Sequence, residues 1–391
     1  MRCRCSRKGG CDAILERRGQ TLVVRLGLIG GGPGAFIGPV HRIAAEMDRE
    51  IQLVAGVFSS DPARSRAAGQ GFGIDPARAY GSLEALIAGE RERPDGVQMV
   101  AITTPNHLHF AMAKTALEAG IAVMSDKPAT ATLAEATALA QIVARTGTPY
   151  RLTYTYTGYP MVREMRTRIA AGAIGKIRKF VVEYLQGWLA DPIEGDNKQA
   201  AWRVDPARAG IGGCIGDIGV HAFNLLEFVT GEKVASINAN LITVVNGRAL
   251  DDDCTVGLRL DGGAHGILLA SQIATGERNT LRIRVYGTTG SVEWTHDACD
   301  QLRIGDANGT VATLYAGGGA LGPDARAAAR LPVGHPEGYL EAFANLYRDF
   351  AGLLNGGDAP LLPDIESGRR SMAFVDMAVR HNGAGWVDLE A

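Results

Sequence analysis

Between Val23 and Gly38 the chain reads VVRLGLIGGGPGAFIG, an apolar strand-like stretch that enters a glycine cluster and leaves it as a helix-like stretch. That order is what a dinucleotide site requires. Glycines let the backbone turn tightly and approach a pyrophosphate, and the following helix offers free N–H groups and the positive end of its dipole. Gly30 and Gly32 fit the first two positions of G-x-G-x-x-G. The third falls on a loop residue or on Gly38, which lengthens the loop and brings Gly34, Phe36 and Ile37 to the cofactor side. A branched side chain at Gly32 is therefore expected to cost cofactor affinity far more than stability.

The alternation continues after this loop. Ile51 to Phe58 reads as a strand, and Asp61-Pro62 as an N-cap with proline at the first helical position. Val97 to Ile102 is a short strand and His107 to Ala119 a helix that stops at Gly120. Ile121 to Met124 is a strand. Thr132 and Glu135 form a capping box at the head of a helix reaching about Arg145, and Tyr150 to Thr155 closes the series. Strands alternating with helices imply an α/β domain with a parallel sheet, assigned here to residues 21–150.

Beyond residue 155 the pattern changes. Ile177 to Leu185, the face Val256, Leu258, Leu260, the return strand Ile267 to Ile273, and the pair Leu281, Ile283, Val285 and Val292, Trp294 are joined by glycine turns. They predict a mainly antiparallel sheet in a second domain, taken as residues 151–391, whose last helices are free to pack back on the first domain. Leu340, Phe343, Tyr347 and Phe350 have helical spacing and read as core. Ala316 to Arg330 reads as a mobile loop.

Composition narrows the class. The net charge of −2 leaves no basic footprint for nucleic acid. No apolar run approaches the roughly 18 residues of a membrane span. Residues 1–20 carry six basic residues and Cys3, Cys5 and Cys11 without a secretory core; they read as a disordered leader or an over-extended start. Three thiols without a clear fourth ligand make a poor zinc site, so no metal is expected. Six cysteines in a chain of 391 residues suit a reducing cytoplasm better than a disulfide framework.

Three motifs could carry chemistry. Thr104, Pro105, Asn106 and His109 follow the strand ending at Ile102, where ligands of a parallel sheet bind. Lys127 stands before Pro128 at a later strand end and can point its ammonium into a cleft. Asp217 and His221, four apart after the glycine cluster 210–216, share one face if a helix begins near Asp217. Such a pair suits general acid–base work, since imidazole titrates near neutrality and a carboxylate can orient it.

Taken together, the glycine loop, the phrase Val123-Met124-Ser125-Asp126-Lys127-Pro128 and the D-x-G-x-H element from Asp217 to His221 resemble the Gfo/Idh/MocA family of pyridine-nucleotide sugar oxidoreductases. Asp126 stands where the family's E-K-P element has Glu, and the longer glycine loop looks like a distinct subgroup. The resemblance covers nearly everything after Val24. It implies a Rossmann domain followed by an α+β domain whose open sheet commonly serves as an oligomer interface, hence a homodimer or homotetramer. It implies that Lys127, Asp217 and His221 meet at the nicotinamide. His221 is then the general base, Asp217 orients it or shares its proton, and Lys127 holds the substrate oxygen. Trp202 and Arg203 match a pair that approaches the cofactor; Tyr156 and Trp188 fall where relatives line the substrate pocket. The expected activity is NAD(P)-dependent oxidation of a secondary alcohol of a sugar, glycoside or cyclitol. The competing readings are redox-assisted glycoside hydrolysis and a non-catalytic sugar or nucleotide sensor.

The nucleotide is read at the end of the second strand. Aligning Asp61-Pro62 with the family's usual cap puts Ser59 where an acid would hold the ribose of NAD, with Arg64 within reach of a 2′-phosphate. The pattern favours NADP over NAD, with NAD tolerated.

Overall fold

The computed structural model describes residues 22–390; the expectations for residues 1–20, including Cys3, Cys5 and Cys11, lie outside them. Five strands, β1 (Val24–Gly30), β2 (Ile51–Val57), β3 (Met99–Thr103), β4 (Ala122–Ser125) and β5 (Tyr150–Leu152), form a sheet of order β2-β1-β3-β4-β5 with every pairing parallel. The helices between them are α1 (Ile37–Met47), α2 (Pro62–Gly71), α3 (Leu83–Arg91), α4 (His109–Glu118) and α5 (Leu133–Thr146). Local chemistry sets their ends. Asp61 accepts from the N–H groups of Ala63 and Arg64 at the head of α2, and Thr132 with Glu135 closes a capping box on α5.

The chain then crosses through α6 (Pro160–Ala170) into β6 (Ile177–Leu185). It continues through α7 (Lys198–Arg203), α8 (Pro206–Ala209), a π-helical turn over Ile215–Gly219 and α9 (Val220–Thr230). Seven strands follow: β7 (Val234–Ile242), β8 (Asp253–Leu260), β9 (His265–Ser271), β10 (Thr280–Gly287), β11 (Gly290–Thr295), β12 (Gln301–Asp306) and β13 (Val311–Tyr315). After α10 (Pro323–Ala328), α11 (Tyr339–Leu354) and α12 (Ile365–Arg380), β14 (Val387–Asp388) completes a nine-stranded sheet of order β13-β12-β11-β10-β6-β9-β8-β7-β14. Only β6 and β9 pair in parallel; the other neighbours are antiparallel.

Strand alternation gives this sheet two unlike faces. Phe180, Val182, Val256, Leu258, Leu281, Ile283 and Trp294 are buried, and α6 and α9 pack on the sheet. The other face carries cross-strand charges: Glu183 lies 3.3 Å from Arg284, and Glu293 lies 3.2 Å from Arg303 and pairs with Arg282.

The Phe343, Tyr347, Phe350 stripe is core, as its spacing required, but its partners belong to the first sheet. Those rings pack with Val24, Leu26, Leu28, Met99 and Met124, so α11 covers the parallel sheet next to α1. The stretch Ala316 to Arg330 is not the mobile loop its glycines suggest. Leu321, Ala325 and Ala328 are buried, α10 forms within it, and Arg330 bonds Asp48 beyond the end of α1 and the Asn345 amide at 2.9 Å. The buried alanines Ala325 and Ala328 supply the close packing of α10 on α6.

Candidate active site

A cleft of about 690 Å³ lies beyond the carboxyl ends of β1, β3, β4 and β5, facing residues of the second sheet and its crossover. Its first wall is the glycine loop. Gly30 has φ +95°, and a Cβ there would sit 2.8 Å from the Thr103 hydroxyl; a Cβ on Gly38 would lie 2.2 Å from the Cα of Gly31. Gly38 is therefore the third glycine, the one that lets α1 close on the loop, while Gly30, Gly31, Ala35, Phe36 and Ile37 line the cleft. Helix α1 has no side-chain cap at its N-terminus, so its first N–H groups are available to an anion. These features fit a dinucleotide pyrophosphate.

Gly32 and Gly34 do not line the cleft. A Cβ on Gly32 would meet the Phe58 carbonyl oxygen at 2.2 Å. Glycine is needed there so that the loop can lie against the end of β2, and the expected sparing of stability in a Gly32 variant does not hold.

The second wall brings the charged residues together. Lys127, after β4, donates from Nζ to the Asp217 carbonyl at 2.5 Å and to its Oδ1 at 2.9 Å. Oδ2 of Asp217 accepts from Arg203 Nε at 3.1 Å and from Gln272 Nε2 at 2.9 Å. Burial pushes the Asp217 carboxyl up, but Lys127 and Arg203 outweigh it and hold the group well below the usual carboxylate range. The Arg203 guanidinium lies 4.3 Å from the Trp202 ring centroid and 5.7 Å from that of Trp188. All three residues line the cleft.

His221 also lines the cleft, but no hydrogen bond joins it to Asp217. The π-helical turn Ile215–Gly219 precedes His221, so the regular one-turn register is not kept, and the carboxylate turns to Lys127 and Arg203 instead. Among the described residues, His221 Nδ1 is buried without a partner, and the ring stands edge-on to Tyr154 and Tyr156, at 5.7 and 5.1 Å. Burial, then the Lys127 ammonium, lower the imidazole pKa from 6.5 to about 3, against the opposing pull of Asp217 and Asp126. The ring is neutral at physiological pH, and its unpaired Nδ1 leaves it uncommitted to any protein partner at that nitrogen.

Asp126 is on the cleft wall as well. Its Oδ1 accepts from the Lys127 N–H at 2.9 Å and the Thr153 hydroxyl at 3.0 Å, and His41 Nε2 lies 3.9 Å away. Burial raises this carboxyl, and His41 and Lys127 more than reverse it.

Other expected site residues divide. Thr104, Pro105 and Asn106 line the cleft; the Asn106 amide donates to the carbonyl of Ala209, the last residue of α8. His109 is 1% exposed and spans two carbonyls, Thr104 and Pro128, each at 2.8 Å. It joins the two cleft loops from behind and is not part of the cleft wall. Ser59 and Arg64 lie outside the cleft wall; the Ser59 hydroxyl accepts from the Asp61 N–H, and Arg64 is exposed in the first turn of α2. Tyr156 is buried beneath the cleft, where its hydroxyl meets that of Tyr184 at 2.5 Å. Tyr184 lines the cleft in its place, donating to Asn279 Oδ1 at 2.8 Å. Gln186 Nε2 donates to the same oxygen at 2.5 Å, and Trp188 Nε1 donates to Gln186 Oε1 at 2.8 Å. His296 completes this end, with Nδ1 on the Asn279 carbonyl and Nε2 at 3.0 Å from the Tyr159 hydroxyl. Sequence reasoning missed Tyr184, Gln186, Gln272, Asn279 and His296. The alternation of β6 alone could have paired Tyr184 with Gln186 as neighbours but not have shown what they face.

Residues 24–154 match the model of an oxidoreductase family with an NAD-binding Rossmann fold, and residues 162–293 match the GFO/IDH/MocA C-terminal domain. The chain is 33% identical over 382 residues to the uncharacterized oxidoreductase YfiI of Bacillus subtilis (strain 168), covering 94% of this chain and 97% of that protein. It is 29% identical to the levoglucosan dehydrogenase of Pseudarthrobacter phenanthrenivorans, over 73% of this chain and 77% of that one. The crystal structure of an inositol dehydrogenase homolog from Azotobacter vinelandii, complexed with NAD+, superposes with TM-score 0.90 at 36% identity, covering 94% and 97% of the two chains.

Proposed function

The chain belongs to the Gfo/Idh/MocA family of oxidoreductases, and from that premise we propose that it is a dehydrogenase oxidising a secondary alcohol of a sugar, glycoside or inositol-like cyclitol. The observation that carries the reading is the meeting of Lys127, Asp217 and a neutral His221 across the cleft from the glycine cradle. The substrate end suits a polyhydroxylated ring. Tyr184, Gln186, Asn279 and His296 offer hydroxyl, amide and imidazole groups, and Trp188 offers an apolar face. Levoglucosan and inositol dehydrogenases among the relatives agree with that class.

A bound nicotinamide supplies the hydride acceptor. The protein's part is to position the alcohol and remove its proton. Lys127 has three ammonium protons, of which two go to the Asp217 carbonyl and carboxylate; the third is free for the substrate oxygen and stabilises negative charge as it develops. His221 takes the hydroxyl proton on an imidazole nitrogen. Asp217 acts on Lys127 and Arg203, holding the ammonium in place, in a role different from the His221 partner expected from sequence.

The nucleotide is NAD(H), the one held by the Azotobacter vinelandii homolog, in place of the NADP preference expected from the end of the second strand. Asp61 is committed to its cap, so no free carboxylate follows Phe58, and NADP is accepted as well through Ser59 and Arg64. Residues 21–150 form the nucleotide domain and 151–391 the substrate domain. The open sheet face joins copies into a dimer or tetramer of a cytoplasmic enzyme. Reduced-nicotinamide absorbance tests the proposal, with NAD and NADP offered to inositols, monosaccharides, anhydrosugars and aryl glycosides. Nucleotide binding without reduction by any of these alcohols refutes it, and aryl-glycoside cleavage without net reduction transfers the site to redox-assisted hydrolysis.

A further inference from the structure

The segment that carries Asp217 is held from behind by a carboxylate outside the cleft. Asp251 precedes β8, partly buried and absent from the cleft wall. Its Oδ1 accepts from the Gly213 N–H at 2.7 Å and its Oδ2 from the Ile215 N–H at 2.8 Å. Its main-chain carbonyl accepts from the Cys214 N–H at 2.7 Å. Three successive N–H groups at the entry to the π-helical turn thus end on one residue, and Asp217 follows two residues later. The approach is close: a Cβ on Gly213 would meet the Asp251 carbonyl oxygen at 2.1 Å. The adjacent Asp252 carbonyl accepts from the N–H of Gln272, whose amide reaches Asp217 Oδ2. One short stretch therefore fixes both the Asp217 backbone and a donor to its carboxylate.

We propose that Asp251 is a positioning residue of the active site: its ionised carboxylate holds the 213–217 turn so that Asp217 meets Lys127 and Arg203, and its protonation loosens that turn and lowers turnover. A carboxylate accepts at both oxygens, whereas a carboxylic acid gives one of them to an O–H. The acid form therefore weakens the hold on Gly213 or Ile215. No cation pairs with Asp251 among the described residues. The charged and titratable groups around it are Asp252, which lies 3.5 Å from Arg248, Asp217 with its own cations, and the thiols of Cys214 and of Cys254 on β8. Burial first, and the Asp252 charge in addition, raise the Asp251 carboxyl to about 6, against the N–H bonds from Ile215 and Gly213. Asp217 and His221 both titrate far lower.

The inference rests on the reading of Asp217 and Lys127 as the reacting centre, so its test has one arm that does not use activity. Hydrogen exchange of amides 211–219 in the full-length native protein, corrected for the chemical rate, should show protection lost as pH falls through about 6. In Asp251→Asn protection should be low and independent of pH. In the activity arm, Asp251→Asn should lower kcat about tenfold or more, the scale of a sub-ångström misplacement. Nucleotide affinity should stay unchanged, and the wild-type acid limb near pH 6 should vanish. Protection in the wild type that does not vary with pH overturns the proposal without need of a variant. A kcat within about twofold of wild type, or an unchanged acid limb, also overturns it. If no alcohol is oxidised, the dehydrogenase reading fails and the exchange arm alone decides.

Discussion

Replacing Lys127 by Met tests the reacting centre most directly, because the ammonium has a structural role and a chemical one that differ in size. Structurally, the change removes two hydrogen bonds to Asp217, one to its carbonyl and one to its carboxylate. The carboxylate keeps Arg203 at 3.1 Å and Gln272 at 2.9 Å, so it is not left as an uncompensated buried charge. The loss should be about 1.5–3 kcal/mol, that of a charged hydrogen bond, and not the roughly 3–5 kcal/mol of a pair broken outright. Chemically, the third ammonium proton is the donor to the substrate oxygen. Removing one preorganised donor of that kind costs about 100- to 1000-fold in kcat, or about 2.7–4 kcal/mol. The nucleotide cradle across the cleft is untouched. Lys127 also helps depress His221, so the imidazole pKa should rise in the variant. Steady-state kinetics with the best alcohol, calorimetric titration of NAD and thermal unfolding separate these effects. The expected result is a kcat lower by at least about 100-fold, nearly unchanged nucleotide affinity and a melting point lower by a few degrees. A variant with kcat within about threefold of the parent refutes the role of Lys127 and the reasoning from its free proton.

His221 should also show in acid stability. Its folded pKa is depressed, so the unfolded chain binds the extra proton first, and stability is present above pH 6.5 and lost as pH falls toward about 3. Between pH 7 and 5 that contributes about 2 kcal/mol, and His221→Gln should lose less melting temperature over this range; an equal loss removes the imidazole as its cause. Gly38→Ala places a Cβ 2.2 Å from the Gly31 backbone. It should cost about 1–3 kcal/mol of stability and weaken NAD binding, and normal calorimetric affinity would show that the loop does not form the cradle. Ser59→Asp should penalise NADP against NAD by on the order of 1–3 kcal/mol in kcat/KM; an unchanged ratio would take Ser59 out of nucleotide choice.

By itself the sequence determined the two architectures and the three short motifs that reach the cleft. Periodicity of 3.6 and 2 residues, the Asp61 and Thr132 caps and the glycine turns act within a few residues, so they were legible without the fold. Gly30, Lys127, Asp217 and His221 carried enough local pattern to be singled out, and Arg203 was reached only through the family resemblance. Their mutual arrangement did not. Asp217 pairs with Lys127, 90 positions away, and the nearer His221 is left to a desolvated, neutral state because a π-helical turn breaks the helical register between them. His109 looked like a ligand contact and is a buried clamp, since only packing shows that both its nitrogens end on carbonyls. Tyr184, Gln186, Asn279 and His296 converge from β6 and from the loops flanking β10 and β11, and no local spacing encodes that meeting. The alanine-rich stretch before α11 lacks a local signal for order, yet Arg330 ties it to Asp48 across the molecule. Desolvation and pairing are properties of what surrounds a group. The pKa of His221 and the hold of Asp251 on the Asp217 turn therefore belonged to the tertiary structure alone.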